Sequence, residues 1–155
     1  MPRALRMLSL FCAFAASLVF ASANTGAFAA NAVKEHKIVI QVSGEDPGAM
    51  TVALGNAMNA KKYYDEKGEK LTVEIVTYGP GITMLRSDTS PVKDRIQEAK
   101  MSIPNLTLSM CANSRAATER REGKALVPID GVQMVPAGIV RVVELQEMGY
   151  AYARP

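Results

Sequence analysis

Short β-branched runs alternate with helix-period stretches along most of this chain, and that alternation restricts the fold more than any other feature. Lys37-Ile38-Val39-Ile40-Gln41-Val42 and Leu71-Thr72-Val73-Glu74-Ile75-Val76-Thr77-Tyr78 are nearly continuous apolar runs of strand length. Leu106 to Met110, Val132 to Val135 and Tyr150 to Ala153 add three shorter strands. Between the first two, Met50, Ala53, Leu54, Ala57 and Met58 recur at helical spacing. A short helix is expected over Ile82 to Arg86, and another after Ser90-Pro91, with Ser90 as N-cap and Pro91 at the first helical position. A charged helix is expected from about Asn113 to Glu122, and an apolar one from Ile139 to Met148. Strands that are apolar on both faces require cover on both faces, so the pattern predicts an α/β fold with a parallel sheet between helical layers.

The first residues do not belong to that pattern. Arg3 and Arg6 precede an apolar stretch from Met7 to Phe20, of export-signal length and short for a membrane span. Ala21-Ser22-Ala23 and Ala27-Phe28-Ala29 both offer an A-x-A cleavage pattern. The second fits better, because folded residues begin near Val33. The reading is a signal peptide over residues 1–29 and one domain over 33–155, in a periplasmic or otherwise exported protein. An uncleaved anchor is the competing reading; after cleavage no stable membrane association is expected. Removing two arginines lowers the formal charge from +3 to about +1, which leaves no electrostatic case for nucleic acid.

Right-handed crossovers in a parallel sheet bring the carboxyl ends of all strands to one rim. Gly44-Glu45-Asp46, Gly79-Pro80-Gly81, Cys111-Ala112-Asn113 and Pro136-Ala137-Gly138 therefore meet there. Glycine lets backbone approach closely, and helix N-termini supply N–H donors. Such a rim suits a small anion or a reactive sulfur; its residues Gly44, Glu45, Gly79, Gly81, Asn113, Gly138 and Arg141 are candidates for binding. The plainer reading is that they make tight turns and caps, and that Arg141 pairs with Glu144 on the helix surface.

Cys111 is the candidate reactive residue. Cys12 lies in the leader, so the mature chain holds one thiol and no internal disulfide. A thiol where a strand becomes a helix faces free N–H groups, which favour thiolate. The alternative is an inert cysteine, since free cysteine is among the most buried residue types. No C-x-x-C motif is present, which excludes an intramolecular dithiol cycle. His36, the one histidine, starts the first strand at the end opposite the rim and is read as a surface residue. No Cys/His/carboxylate spacing resembles a metal site, and no cofactor is implied.

These stretches together resemble a known family. His36 to Val42, Tyr78-Gly79-Pro80-Gly81, Ser90-Pro91-Val92-Lys93, Cys111-Ala112-Asn113, Val135-Pro136-Ala137-Gly138, Glu144-Leu145-Gln146 and Gly149-Tyr150-Ala151-Tyr152 are similar, in order, to the small single-domain DsrE/DsrF-like proteins. The resemblance implies a three-layer α/β/α fold with a five-stranded, mostly parallel sheet, and frequent oligomers. It also implies a sulfur relay in which a cysteine, here Cys111, carries sulfur as a persulfide. The expected partners are a sulfur donor or acceptor, either a protein or a small sulfur compound. A homo-oligomer is expected too, because Ile139, Val140, Val142, Val143, Leu145 and Met148 give the last helix more apolar surface than one core-facing stripe requires. The alternative function is a small-ligand or partner-binding module that keeps the fold without sulfur transfer.

Overall fold

The computed structural model describes residues 33–155. The proposed leader and Cys12 lie outside the described residues. Five strands, β1 (Glu35–Val42), β2 (Lys70–Thr77), β3 (Leu106–Cys111), β4 (Gln133–Val135) and β5 (Ala151–Ala153), form one sheet in the order β4-β3-β2-β1-β5. All four pairings are parallel. Four α-helices accompany them: α1 (Pro47–Glu66), α2 (Lys93–Ser102), α3 (Ala112–Glu122) and α4 (Gly138–Glu147). The architecture is the three-layer α/β/α arrangement expected from the alternation.

The strand order decides which helix covers which face. From β1 to β4 the chain steps in one direction across the sheet, so right-handed crossovers put α1, α2 and α3 on one side. From β4 it returns across the whole sheet to β5, and the same handedness puts α4 on the other side. The first face holds the larger core. Ile40, Val42, Leu71, Val73, Ile75, Leu108 and Met110 pack there against Met50, Leu54, Ile96 and their neighbours. The opposite face holds a smaller cluster of Val39, Val76, Val142 and Leu145, flanked by Tyr78 and Tyr150.

Several element boundaries differ from the sequence expectation, each for a local reason. Gly79-Pro80-Gly81 does not merely end β2; it forms the first part of a 3₁₀ turn, Gly79–Leu85. A Cβ on Gly81 would lie 2.2 Å from the Val42 carbonyl oxygen, so only glycine lets the turn sit this close to β1. Ser90 is not the N-cap of α2. Its hydroxyl donates to the Met84 carbonyl and accepts from the Val92 amide at 3.3 Å, which closes a turn, and α2 begins at Lys93. Asp46 caps α1, accepting from the Ala49 amide at 2.8 Å, and Pro47 follows at the first helical position. His36 is half-buried rather than free on the surface. It stacks on Tyr64 with ring centroids 3.8 Å apart, and its Nε2 lies 2.7 Å from Glu69.

Candidate functional site

Cys111 is both the last residue of β3 and the N-cap of α3. The Ser114 amide donates to its Sγ at 3.4 Å, so the thiol stands where Ser or Asp usually stands in a cap. Across the sheet, Cys111 pairs with Val135 at the end of β4. From these neighbouring strand ends the chain leaves to opposite faces, β3 into α3 and β4 into α4. This is a topological switch point, where open parallel sheets form their ligand crevice. The thiol consequently lies between two helix N-termini.

Burial raises the pKa of Cys111, which is 4% exposed. The Ser114 hydroxyl and the backbone N–H groups of Ser114, Gly138 and Asn113 outweigh that and bring the thiol below its ordinary value. Ser114 is itself oriented, because its Oγ accepts from the Gly79 amide at 2.8 Å, leaving its own proton for the sulfur. Gly138 reaches the site because it has no side chain. A Cβ there would lie 2.7 Å from Tyr78 Cβ, so any larger residue would push the α4 N-terminus away from Cys111.

The rim residues proposed from sequence therefore divide. Asn113 and Gly138 act directly on the sulfur through their N–H groups, and Gly79 acts through Ser114. Gly81 fixes the approach of the 3₁₀ turn to β1. Gly44 lies elsewhere, in a cleft with Gln41, Ser43 and Arg154, and Glu45 is exposed. Neither is brought to the thiol.

Arg141 is engaged in a way that neither sequence reading contained. Its guanidinium makes two 2.8 Å hydrogen bonds to Glu74, while Glu144 stands off at 3.5 Å. Glu74 is 3% exposed, at the centre of the sheet, and also accepts from the Ser109 hydroxyl at 2.6 Å. Its neighbours on β2 made it look like one polar residue in an apolar strand. The two lone Glu74 contacts from β3 and α4 are non-local, and only a polar Ser109 in another apolar strand hinted at them. The fork that could have met an anionic ligand is thus already occupied by the protein's own carboxylate. A mainly apolar pocket of about 260 Å³ lies beside this pair, lined by Val135, Pro136, Ala137, Val140, Arg141 and Glu144.

Among the described residues no group of three His, Cys, Asp or Glu side chains could hold a metal, and no helix is long and apolar enough to cross a membrane. No protein-family model matches the chain. No curated protein matches it either. A solved structure from Methanobacterium thermoautotrophicum, a protein of unknown function called MTH1491, is similar in fold. It has 24% sequence identity and a TM-score of 0.62, with 77% of this chain and 99% of that chain covered. That likeness concerns the fold.

Proposed function

We propose that Cys111 is the reactive centre of an exported sulfur-handling protein of the DsrE-like kind, carrying sulfur as a persulfide. The observation that carries this reading is the seat of the thiol: two helix N-termini and an oriented Ser114 hydroxyl lower its pKa in spite of burial. In the step proposed, the Cys111 thiolate attacks the sulfane sulfur of a donor. The Sγ–S bond forms as the donor's S–S bond breaks, and its electron pair leaves with the donor's inner sulfur. The same N–H groups stabilise the negative charge on the terminal sulfur. Having no second cysteine in the mature domain, the protein passes the sulfur to another molecule.

The decisive measurement is the alkylation rate of Cys111 against pH, with mass spectrometry after exposure to polysulfide or thiosulfate. A sulfur carrier reacts with an apparent pKa below the ordinary value of about 8.5 and gains the mass of one sulfur, absent in Cys111→Ser. The near-complete burial of Cys111 favours one rival, a binding module in which the cysteine is packing. That rival is right if the thiol reacts only after denaturation.

The reading includes assembly and location. Ile139, Val140 and Val143 are each about half exposed on α4, and Met148 and Tyr152 are exposed as well. We assign this surface to a second copy of the chain. Export with cleavage after Ala29 remains the reading of the leader, and N-terminal sequencing of protein from its native host tests it.

A further inference from the structure

Between the 3₁₀ turn and α3 lies a cleft of about 170 Å³ lined by Gly79, Pro80, Ser114, Ala117, Thr118 and Arg121, joined to the thiol through Ser114, whose amide donates to Cys111 Sγ. Ser114, Ala117, Thr118 and Arg121 share one face of α3 and form its floor. Gly79 and Ser114 are the residues that orient one another next to Cys111. Thr118 is only 7% exposed, yet among the described residues its hydroxyl has no hydrogen-bond partner. Thr51 and Ser102, in other helices, donate to the carbonyl four residues back, and Thr118 does not. The hydroxyl itself is not sealed from solvent, and lining the cleft it can give a hydrogen bond to a guest. Arg121, at the far end, makes no ion pair among the described residues. Nearby acids are taken: Glu119 by Arg115 and the Leu126 amide, Glu122 by Arg86. The cleft thus offers an unengaged cation and an unpartnered hydroxyl, with no free carboxylate to oppose them.

We propose that this cleft is the carboxylate subsite for the sulfur donor of Cys111, and that the donor is the persulfide of a small mercapto acid. The proposal rests on the sulfur-carrier reading and adds the substrate class. Cys111 and Thr118 are seven residues apart, about 10 Å along a helix. With about 3 Å taken by the hydrogen bond to Thr118 and a similar gap between the two sulfurs before they bond, a carboxylate and a sulfur separated by two or three carbons span the rest. The cleft volume suits a molecule of that size. With the carboxylate held by Arg121 and Thr118, the outer sulfur meets the Cys111 thiolate. The new Sγ–S bond forms, the donor S–S bond breaks, and its electron pair leaves on the inner sulfur. That sulfur takes up the persulfide proton and departs as the free mercapto acid. No external oxidant or reductant is needed.

The test compares 3,3′-dithiodipropionate with the neutral bis(2-hydroxyethyl) disulfide, reading mixed-disulfide formation on Cys111 by intact mass. The anionic-to-neutral rate ratio cancels the reactivity of the thiol itself. It should exceed one and fall about tenfold in Arg121→Gln, with a smaller fall in the isosteric Thr118→Val, as expected for loss of a charge-assisted hydrogen bond. An unchanged ratio in Arg121→Gln would overturn the proposal. If Cys111 reacts with neither probe nor with iodoacetamide, the sulfur-carrier reading fails instead. The cleft is then judged in Cys111→Ser protein by NMR titration with 3-(methylthio)propanoate against its amide. Saturable shifts at Ser114 and Thr118 for the acid alone sustain the carboxylate subsite, and their absence refutes it.

Discussion

At the scale of single residues, Ser114 matters most after the cysteine. It is the second residue of α3 after Ala112, and its amide and hydroxyl both act on Cys111 while Gly79 orients the hydroxyl. Ser114→Ala removes one of those donors without disturbing the helix, since alanine is the better helix former. The thiol pKa should rise, and alkylation near pH 7 should slow by about tenfold or more, the size of one hydrogen bond to a charged group. Stopped-flow alkylation across pH checks this, and a rate equal to wild type would mean the hydroxyl does not reach the sulfur. The cysteine was legible in the sequence because a strand end followed by a helix start is a local pattern. Ser114 was not singled out, because its role depends on Gly79, brought close only by the sheet. Glu74 escaped for the same reason, its two partners lying 35 and 67 residues along the chain.

At the scale of elements, α4 is held to the sheet by little apolar area and one ion pair. Val142 and Leu145 supply its buried stripe, and Arg141 reaches down to Glu74. Removing Arg141 leaves a buried carboxylate without its cation. Arg141→Met should therefore cost about 3 kcal/mol in urea unfolding, whereas Glu74→Leu with Arg141→Met should recover most of it. A double variant as unstable as the single one would mean that the pair does more than satisfy its own charges. On the other face, Arg86 joins the 3₁₀ turn to α3 by pairing with Asp88 and Glu122. Hydrogen bonds from Arg86 lead the causes that hold Asp88 and Glu122 below the usual carboxylate range. Carboxylates with lowered folded-state pKa values contribute stability above their unfolded pKa and lose it as pH falls through the folded one. Urea midpoints should accordingly fall on acidification below about pH 4, and less steeply in Glu122→Gln. A slope unchanged in that variant would place the acid sensitivity elsewhere, with Glu69 beside His36 the next carboxylate to test. The helices and strands themselves were readable from apolar period. Their ends were not, where a hydroxyl such as Ser90 chose a carbonyl six residues back over a helix amide.

At the scale of the whole molecule, the two faces of the sheet are unequal. Among the described residues, three helices and the 3₁₀ turn cover one, and α4 alone covers the other, with β4 and β5 at the edges only three residues long each. Ile139, Val140 and Val143 face outward from that thinner layer. A second copy docking there would complete it, and Val143→Glu should shift the protein from oligomer to monomer in light scattering at micromolar concentration. A wild-type monomer under those conditions would remove the interface. The expectation of excess apolar surface on the last helix came from its composition. Which residues turn outward depended on the single stripe, Val142 and Leu145, that the sheet accepts.

The return of the chain from β4 across the sheet to β5 also has a consequence in time. Synthesis is vectorial, and α4 with β5 leaves the ribosome after the other described elements. That segment supplies Gly138, one of the N–H donors at Cys111, and the strand that closes the sheet beside β1. Until it docks, Cys111 lacks one of its two helix termini and remains closer to an ordinary thiol. The lowered pKa of the thiol is therefore a product of completed folding, and under the proposed function the sulfur acquires its carrier chemistry only then.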